Sequence, residues 1–174
     1  MTSTLKVNKI ESASGTDITI PTGKKLVVTD NGGIDAPGMI VNVATHQIDT
    51  NTIVSSAAYV TTDLQITYTP KKAGNLIIIQ ANLGADTNAA QRSIRHSIFR
   101  DGTDMGPSNG NGSATQSYAA GGRLFAMGNQ IAVDSNVTAA ARTYSVRVKA
   151  GGNYTVEGDG TTARKTMIVT EIAQ

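Results

Sequence analysis

The sequence has no cysteine and no tryptophan, and only 2 phenylalanines, 5 tyrosines and 4 prolines in 174 residues. Without cysteine there is neither a disulfide framework nor a thiolate zinc site, and nothing in the chain needs an oxidising compartment. Stability must come from burial, yet the large rings that usually supply much of the buried area are scarce. The core of one copy is therefore expected to be thin. Charge is sparse as well: charged residues make up 16% and the formal net charge is +2. With lysines and arginines scattered along the chain, that balance excludes the basic stripe of a nucleic-acid binder, so no direct DNA or RNA partner is expected. No apolar run approaches the roughly 20 residues that span a bilayer. The longest, Leu76–Ile79, is strand-sized, and no membrane insertion is expected. Met1 to Lys9 is polar and lacks the apolar h-region of a secretory signal, which predicts folding in a cytoplasm.

Threonine (23) and glycine (18) are plentiful instead. Threonine suits a pleated, half-buried surface, and glycine marks turns, so the composition is biased towards strands rather than towards disorder. At 18.0 kDa the chain has room for one β-domain and a short appendage.

Turn residues cut the first segment into short strands, Leu5–Ile10, Ile18–Ile20 and Leu26–Val28, with breaks at Ser14-Gly15, Pro21-Thr22-Gly23 and Asn31-Gly32-Gly33. Its few apolar residues cannot form a core unaided. Residues 1–35 therefore read as a β-arm that packs on identical segments, on the body of the chain or on a larger assembly. Residues 36–38 read as a linker, and 39–174 as the body.

In the body the period-two pattern is clear. The expected strands are Met39–Gln47, Val60–Thr69, Leu76–Leu83, Ile94–Arg100, Tyr118–Met127, Ile131–Val133, Ala140–Lys149, Tyr154–Val156 and Thr166–Ile172, with Tyr144, Val146 and Val148 facing inward. Asp101-Gly102 predicts a hairpin turn with positive φ. No segment has helical period, and no fixed-period repeat points to a solenoid. Short strands and short turns predict an all-β fold, an antiparallel jelly-roll β-sandwich preceded by the arm.

Two stretches carry a resemblance. Ser3-Thr4-Leu5-Lys6-Val7-Asn8-Lys9-Ile10, followed by Gly15-Thr16-Asp17-Ile18-Thr19-Ile20-Pro21-Thr22-Gly23-Lys24-Lys25-Leu26, resembles the opening of fibre and virion proteins of marine phages, notably those of cyanobacteria. The body stretch Leu64 to Ile78, with Thr69-Pro70-Lys71-Lys72-Ala73-Gly74-Asn75 at its centre, is similar to a phage version of the jelly roll shared with tumour necrosis factor and complement globular heads. Phe99-Arg100-Asp101-Gly102-Thr103 and the closing Met167 to Ile172 fit the same pattern. The resemblance implies a homotrimer at the virion surface, with its N-terminal segments towards the particle and the jelly roll outward. Other virion proteins of capsid or tail would be its partners. On that reading Leu5, Val7, Ile10, Ile18 and Ile20 are the virion-attachment candidates. Tyr68, Tyr144 and Tyr154 are candidates for the trimer interface.

Catalytic chemistry has little to work with. His46 and His96 are isolated, with no HExxH or other ligand spacing, and a three-copy histidine site on a threefold axis is the minor alternative to ordinary packing. No G-x-S-x-G elbow and no phosphate-cradling G-x-x-x-x-G-K occurs. Asp101 with Asp104, and Glu157 with Asp159, read as turn residues before they read as acid pairs or calcium ligands. The sequons at Asn111, Asn136 and Asn153 are expected to be bare. The loop Pro107–Ser117, rich in Gly, Asn and Ser, is expected to be exposed, with Asn109, Asn111, Tyr118 and Arg123 as possible contacts to a host glycan. The expectation is a non-enzymatic structural protein without cofactor or metal, a short trimeric spike, fibre or capsid decoration. A receptor-binding fibre tip that recognises a host-surface glycan is the alternative.

Overall fold

In a computed structural model the chain divides into two compact units, Met1–Gly33 and Ile34–Gln174. The structure describes residues 20–25, 27, 36–50, 52–54, 56–87, 94–106, 124–135, 137–150, 154–156 and 164–174. The first unit contributes the Pro21-Thr22-Gly23 turn, closed by Lys24 N–H donating to the Pro21 carbonyl at 3.0 Å. Gly23 has a φ of +78°, which the third position of a type II turn requires. The strands expected over 5–10, 18–20 and 26–28 lie outside the described residues, apart from Ile20 and Val27, both exposed.

Among the described residues there is no helix, and the second unit holds ten strands. They are β1 (Ile40–Ile48), β2 (Thr52–Val54), β3 (Val60–Tyr68), β4 (Leu76–Thr87), β5 (Ile94–Arg100), β6 (Thr103–Asp104), β7 (Leu124–Asp134), β8 (Arg142–Ala150), β9 (Tyr154–Val156) and β10 (Lys165–Ile172). All pairings are antiparallel. In the first sheet β10 lies between β1 and β4, and β7 takes the other edge of β4. The short β2–β9 pair extends this sheet, and β9 meets the end of β4 at Asp86. The second sheet has the order β3-β8-β5-β6.

Two-residue alternation builds the core between these sheets. Leu64, Ile66 and Tyr68 of β3 and Tyr144, Val146 and Val148 of β8 face Ile77, Ile79, Ala81 and Leu83 of β4 and Met167 and Val169 of β10. Burying each of the large aliphatic chains contributes about 1.5–3 kcal/mol.

Turn chemistry fixes the register. Asp101 (φ 48°) and Gly102 (φ 88°) occupy the two left-handed positions of the hairpin between β5 and β6, as a primed turn needs. Asp101 also accepts a 2.8 Å hydrogen bond from Thr143 N–H, tying the hairpin to β8. In β3 the ladder to β8 shifts between Thr61 and Gln65. There the Thr62 hydroxyl donates to the Val146 carbonyl at 2.8 Å and accepts from Leu64 N–H at 3.2 Å, standing in for ladder bonds that the bulge removes.

Two features differ from the sequence-based expectation. Residues 124–134 form one strand rather than two, because Gly128, Asn129 and Gln130 keep their pairing to Leu83, Asn82 and Ala81 of the long β4. β2 and β6 carry no period of their own and exist through their partners. Residues 36–38, read as a linker, form a tight turn: Met39 N–H donates to the Ala36 carbonyl, Gly38 N–H to the Ala173 carbonyl at 2.8 Å, and Ala173 N–H returns to the Met39 carbonyl.

Candidate functional site

One end of the sandwich carries a buried polar layer. Ile77 of β4 pairs with Glu171 on one side and Asp134 on the other, so the two carboxylates point inward with one aliphatic residue between them. Glu171 is fully buried. It accepts from the Tyr68 hydroxyl at 2.5 Å, from Asn75 Nδ2 at 2.7 Å, and from the backbone N–H of Lys71 and Lys72. Burial alone would raise its pKa, but the bonds from Tyr68, Lys71, Asn75 and Lys72 outweigh that and hold the carboxyl below its ordinary value. Asp134 accepts from Arg100 at 2.8 Å, Arg142 at 2.9 Å and the Tyr144 hydroxyl at 3.0 Å. Burial, followed by the charge of Asp134 and the bond to it, pushes the Tyr144 phenol up. Burial, followed by the bond to Glu171, does the same to Tyr68. These carboxylates are saturated with donors and closed from solvent, an arrangement that holds strands together rather than one that moves protons.

Tyr68 and Tyr144, expected at the trimer interface, are 5% and 0% exposed inside their own subunit, with hydroxyls bound to Glu171 and Asp134. A ring enclosed between its own sheets offers no surface to a neighbour, and that expectation is corrected for both. Tyr154 lies on β9, whose side chains fall outside the described residues, as do Leu5, Val7, Ile10, Ile18, Asn109, Asn111, Tyr118, Arg123, Glu157 and Asp159. Ile20 is described, at 46% exposure.

Both histidines belong to the body. His46 Nδ1 lies 2.7 Å from the Gln65 carbonyl. His96 is buried between the sheets, neither ring nitrogen has a hydrogen-bond partner, and burial lowers its pKa to about 4. Asp101 caps the hairpin, and Asp104 accepts from the Ser97 hydroxyl and from Gly106 N–H. Among the described residues no three His, Asp or Glu side chains gather as a metal cage requires.

The outward faces of the two sheets differ in kind. On the first, β1 presents Val43, Thr45 and Gln47, β10 presents Thr166, Ile168, Thr170 and Ile172, β4 presents Leu76, Ile78, Gln80 and Asn82, and β7 presents Asn129, Ile131 and Val133. None of these side chains is charged. Ile40, Ile131 and Val133 are 62%, 67% and 54% exposed. A depression of about 280 Å³, lined by Gln80, Asn82, Asn129, Thr166 and Ile168, lies on this face. An antiparallel sheet facing water ordinarily turns polar and charged residues outward.

The second sheet's outward face is cationic and aromatic. Arg95 pairs across the strands with Lys149, Ser97 with Arg147, and Phe99 with Ser145 and Asp104. The Arg147 guanidinium sits 4.5 Å over the Phe99 ring, and the Lys149 ammonium 4.4 Å over the Tyr59 ring. The two rings meet edge to face at 5.2 Å. Sequence reading missed this set. Its outward phase was implied by the inward Tyr144, Val146 and Val148, but the neighbourhood of β5 and β8 is a property of the sheet order.

Compared with known protein families and with curated proteins, the chain matches none.

Proposed function

We propose that this protein is a non-enzymatic structural protein of a phage virion, a homotrimeric surface spike, short fibre or capsid decoration attached through its N-terminal arm to other virion proteins. The observation that carries the assembly part of this reading is the outward face of the β1-β10-β4-β7 sheet, whose described side chains are uncharged and include the exposed Ile40, Val43, Ile131 and Val133. Depletion of charge with aliphatic residues at the centre is what the buried core of an oligomer interface needs, and a thin core gains by burying such a face against further copies. Ile40, Val43, Ile131 and Val133 replace Tyr68 and Tyr144 as interface candidates.

The strand order supports the jelly-roll part of the reading. The order β1-β10-β4-β7 opposite β3-β8-β5-β6 places the first and last strands of the body side by side and carries most connections from sheet to sheet, as a jelly-roll sandwich does. The phage assignment rests on the resemblance of the opening segment and of the Thr69 to Asn75 turn. Glu171 accepts hydrogen bonds from Tyr68 just before that turn and from Lys71, Lys72 and Asn75 within it, which ties the turn to β10.

Two measurements test this. Light scattering of the full chain should give a mass near three times 18.0 kDa, and a stable monomer would overturn the trimer. A chain lacking Met1–Gly33 should remain folded yet fail to join particles in reconstitution; incorporation of the truncated chain would remove the arm as the anchor.

A second reading, recognition of a host-surface glycan, is favoured by the cationic and aromatic face of the other sheet, which stays clear of the proposed interface because it is the opposite side of the sandwich.

A further inference from the structure

Arg95, Arg147 and Lys149 stand on two adjacent strands with their side chains on one face. Neighbouring strands lie about 4.8 Å apart, and alternate residues of a strand about 6.8 Å apart. The three cations are therefore rooted as a small planar array on a rigid sheet rather than converging on one point. Arg95 and Lys149 are direct cross-strand partners, so two like charges stand side by side on the sheet. Two of the cations are held over aromatic rings, which fixes where their charge sits.

Two polar atoms in the same cluster are covered and have no hydrogen-bond partner, the Tyr59 hydroxyl and Arg147 Nε. Buried polar groups are nearly always satisfied, so this pair marks donors short of an acceptor beside the cations, which an outside group reaches where the covering side chains give way. Burial raises the Tyr59 pKa, and the nearby Asp104 carboxylate adds to the rise against the opposing charge of Arg95, so the phenol stays protonated and is a donor. Phosphate-sized single anions prefer donors that close on one site, whereas a planar array matches a ligand whose charges repeat. The ring faces decide between polyanions. Single-stranded nucleic acid is bound by stacking bases on open aromatic faces. Here each ring carries a cation on a face, and Phe99 is only 6% exposed.

We infer that the outward face of the β3-β8-β5-β6 sheet, through Arg95, Arg147, Lys149 and Tyr59, binds an anionic polysaccharide, one bearing repeated carboxylate or sulfate groups. The inference deepens the glycan-recognition reading by naming the chemical class of glycan and the side chains that would receive it. In a trimer the array is present three times, which favours a long repeating ligand through multivalency.

The test uses the purified full-length protein with four immobilised probes: dextran sulfate, polygalacturonate, neutral dextran and single-stranded DNA, at physiological salt. Binding to one or both charged polysaccharides and none to neutral dextran is expected, with the pair of charged probes separating sulfate from carboxylate. The double variant Arg147→Gln/Lys149→Gln should weaken that binding at least tenfold. Lys149→Arg, which keeps both the charge and a cation over Tyr59, should retain it. Arg95→Gln, which disturbs neither ring contact, should weaken binding several-fold and serves where the double variant does not fold. Undiminished binding by Arg95→Gln and the double variant, tighter binding of DNA than of either polysaccharide, or no binding to any polymer would overturn the inference. Adsorption of the protein to host cells, measured in parallel, separates the two ideas. Cell binding without polymer binding removes the ligand class and keeps glycan recognition, whereas polymer binding lost in the variants supports the inference whatever the cells do.

Discussion

Glu171 occupies a strand position whose neighbours on the same face, Met167 and Val169, are fully buried aliphatic or thioether chains. Alternation asks for an apolar residue there, and the hydrogen bonds from Tyr68, Asn75, Lys71 and Lys72 explain why a carboxylate is present instead. Glu171→Gln turns an acceptor-only group into one that presents two donors of its own to this crowd of donors. It should lower stability by about 2–3 kcal/mol at neutral pH, read by urea unfolding. Because the folded pKa is depressed, the contribution of Glu171 is present above the ordinary carboxylate pKa and fades as pH falls through the folded value. The variant should therefore approach wild type in acid. His96 acts in a different window. Its folded pKa of about 4 lies below the ordinary 6.5, so the unfolded chain takes up the proton first and stability declines as pH falls from about 6.5 to about 4. His96→Leu should flatten that decline, which amounts to about 3 kcal/mol. An unchanged slope between those pH values would show that the imidazole is not the group responsible.

At the scale of the element, the hairpin at Asp101-Gly102 separates space from torsion. A Cβ added at Gly102 would meet only a side-chain nitrogen of Arg147 at 3.6 Å, yet its φ of +88° disfavours any side chain. Gly102→Ala should cost about 1 kcal/mol, seen as a lower thermal midpoint with unchanged far-ultraviolet dichroism. A neutral effect would mean that the turn relaxes to another type. This hairpin was legible in the sequence because its rule is local: Asp-Gly between alternating runs needs no partner to be read. The same holds for Ile94–Arg100 and Tyr154–Val156, whose limits agree with the sequence reading. The join across Gly128-Asn129-Gln130 was not legible. Three polar or small residues look like a break until the unbroken β4 is placed beside them. Glu171 and Asp134 were likewise silent, since one carboxylate in a strand gives no sign that it will point inward to bind tyrosines from the other sheet. The cation array was half visible: its phase could be counted, but its strand neighbours could not.

For the whole molecule the proposed function gives the two outward faces opposite fates, one to meet further copies and the other to meet solvent and ligand. Ile131→Asp/Val133→Asp places charge on the uncharged face at residues that are 67% and 54% exposed, where one subunit has nothing to lose. The variant should keep its sheet content and thermal unfolding as a subunit while its light-scattering mass drops towards 18.0 kDa. Retention of the parental mass would relocate the interface. On the same proposal, anionic-polymer binding by the dissociated subunit should persist but weaken, because each subunit keeps its array and loses the multivalency of a trimer.

The pairing of β1 with β10 also governs when the protein can fold. At a synthesis rate of about 5–20 residues per second, β1 emerges roughly ten seconds before the strand that completes it. In that interval its apolar edge has no partner of its own sheet, and the β3–β8 ladder is similarly delayed. Long-range antiparallel contacts of this kind close slowly. The sandwich thus closes only once β10 has emerged, and until then the nascent chain depends on the sparse hydrophobicity of its early strands to stay out of unwanted pairings.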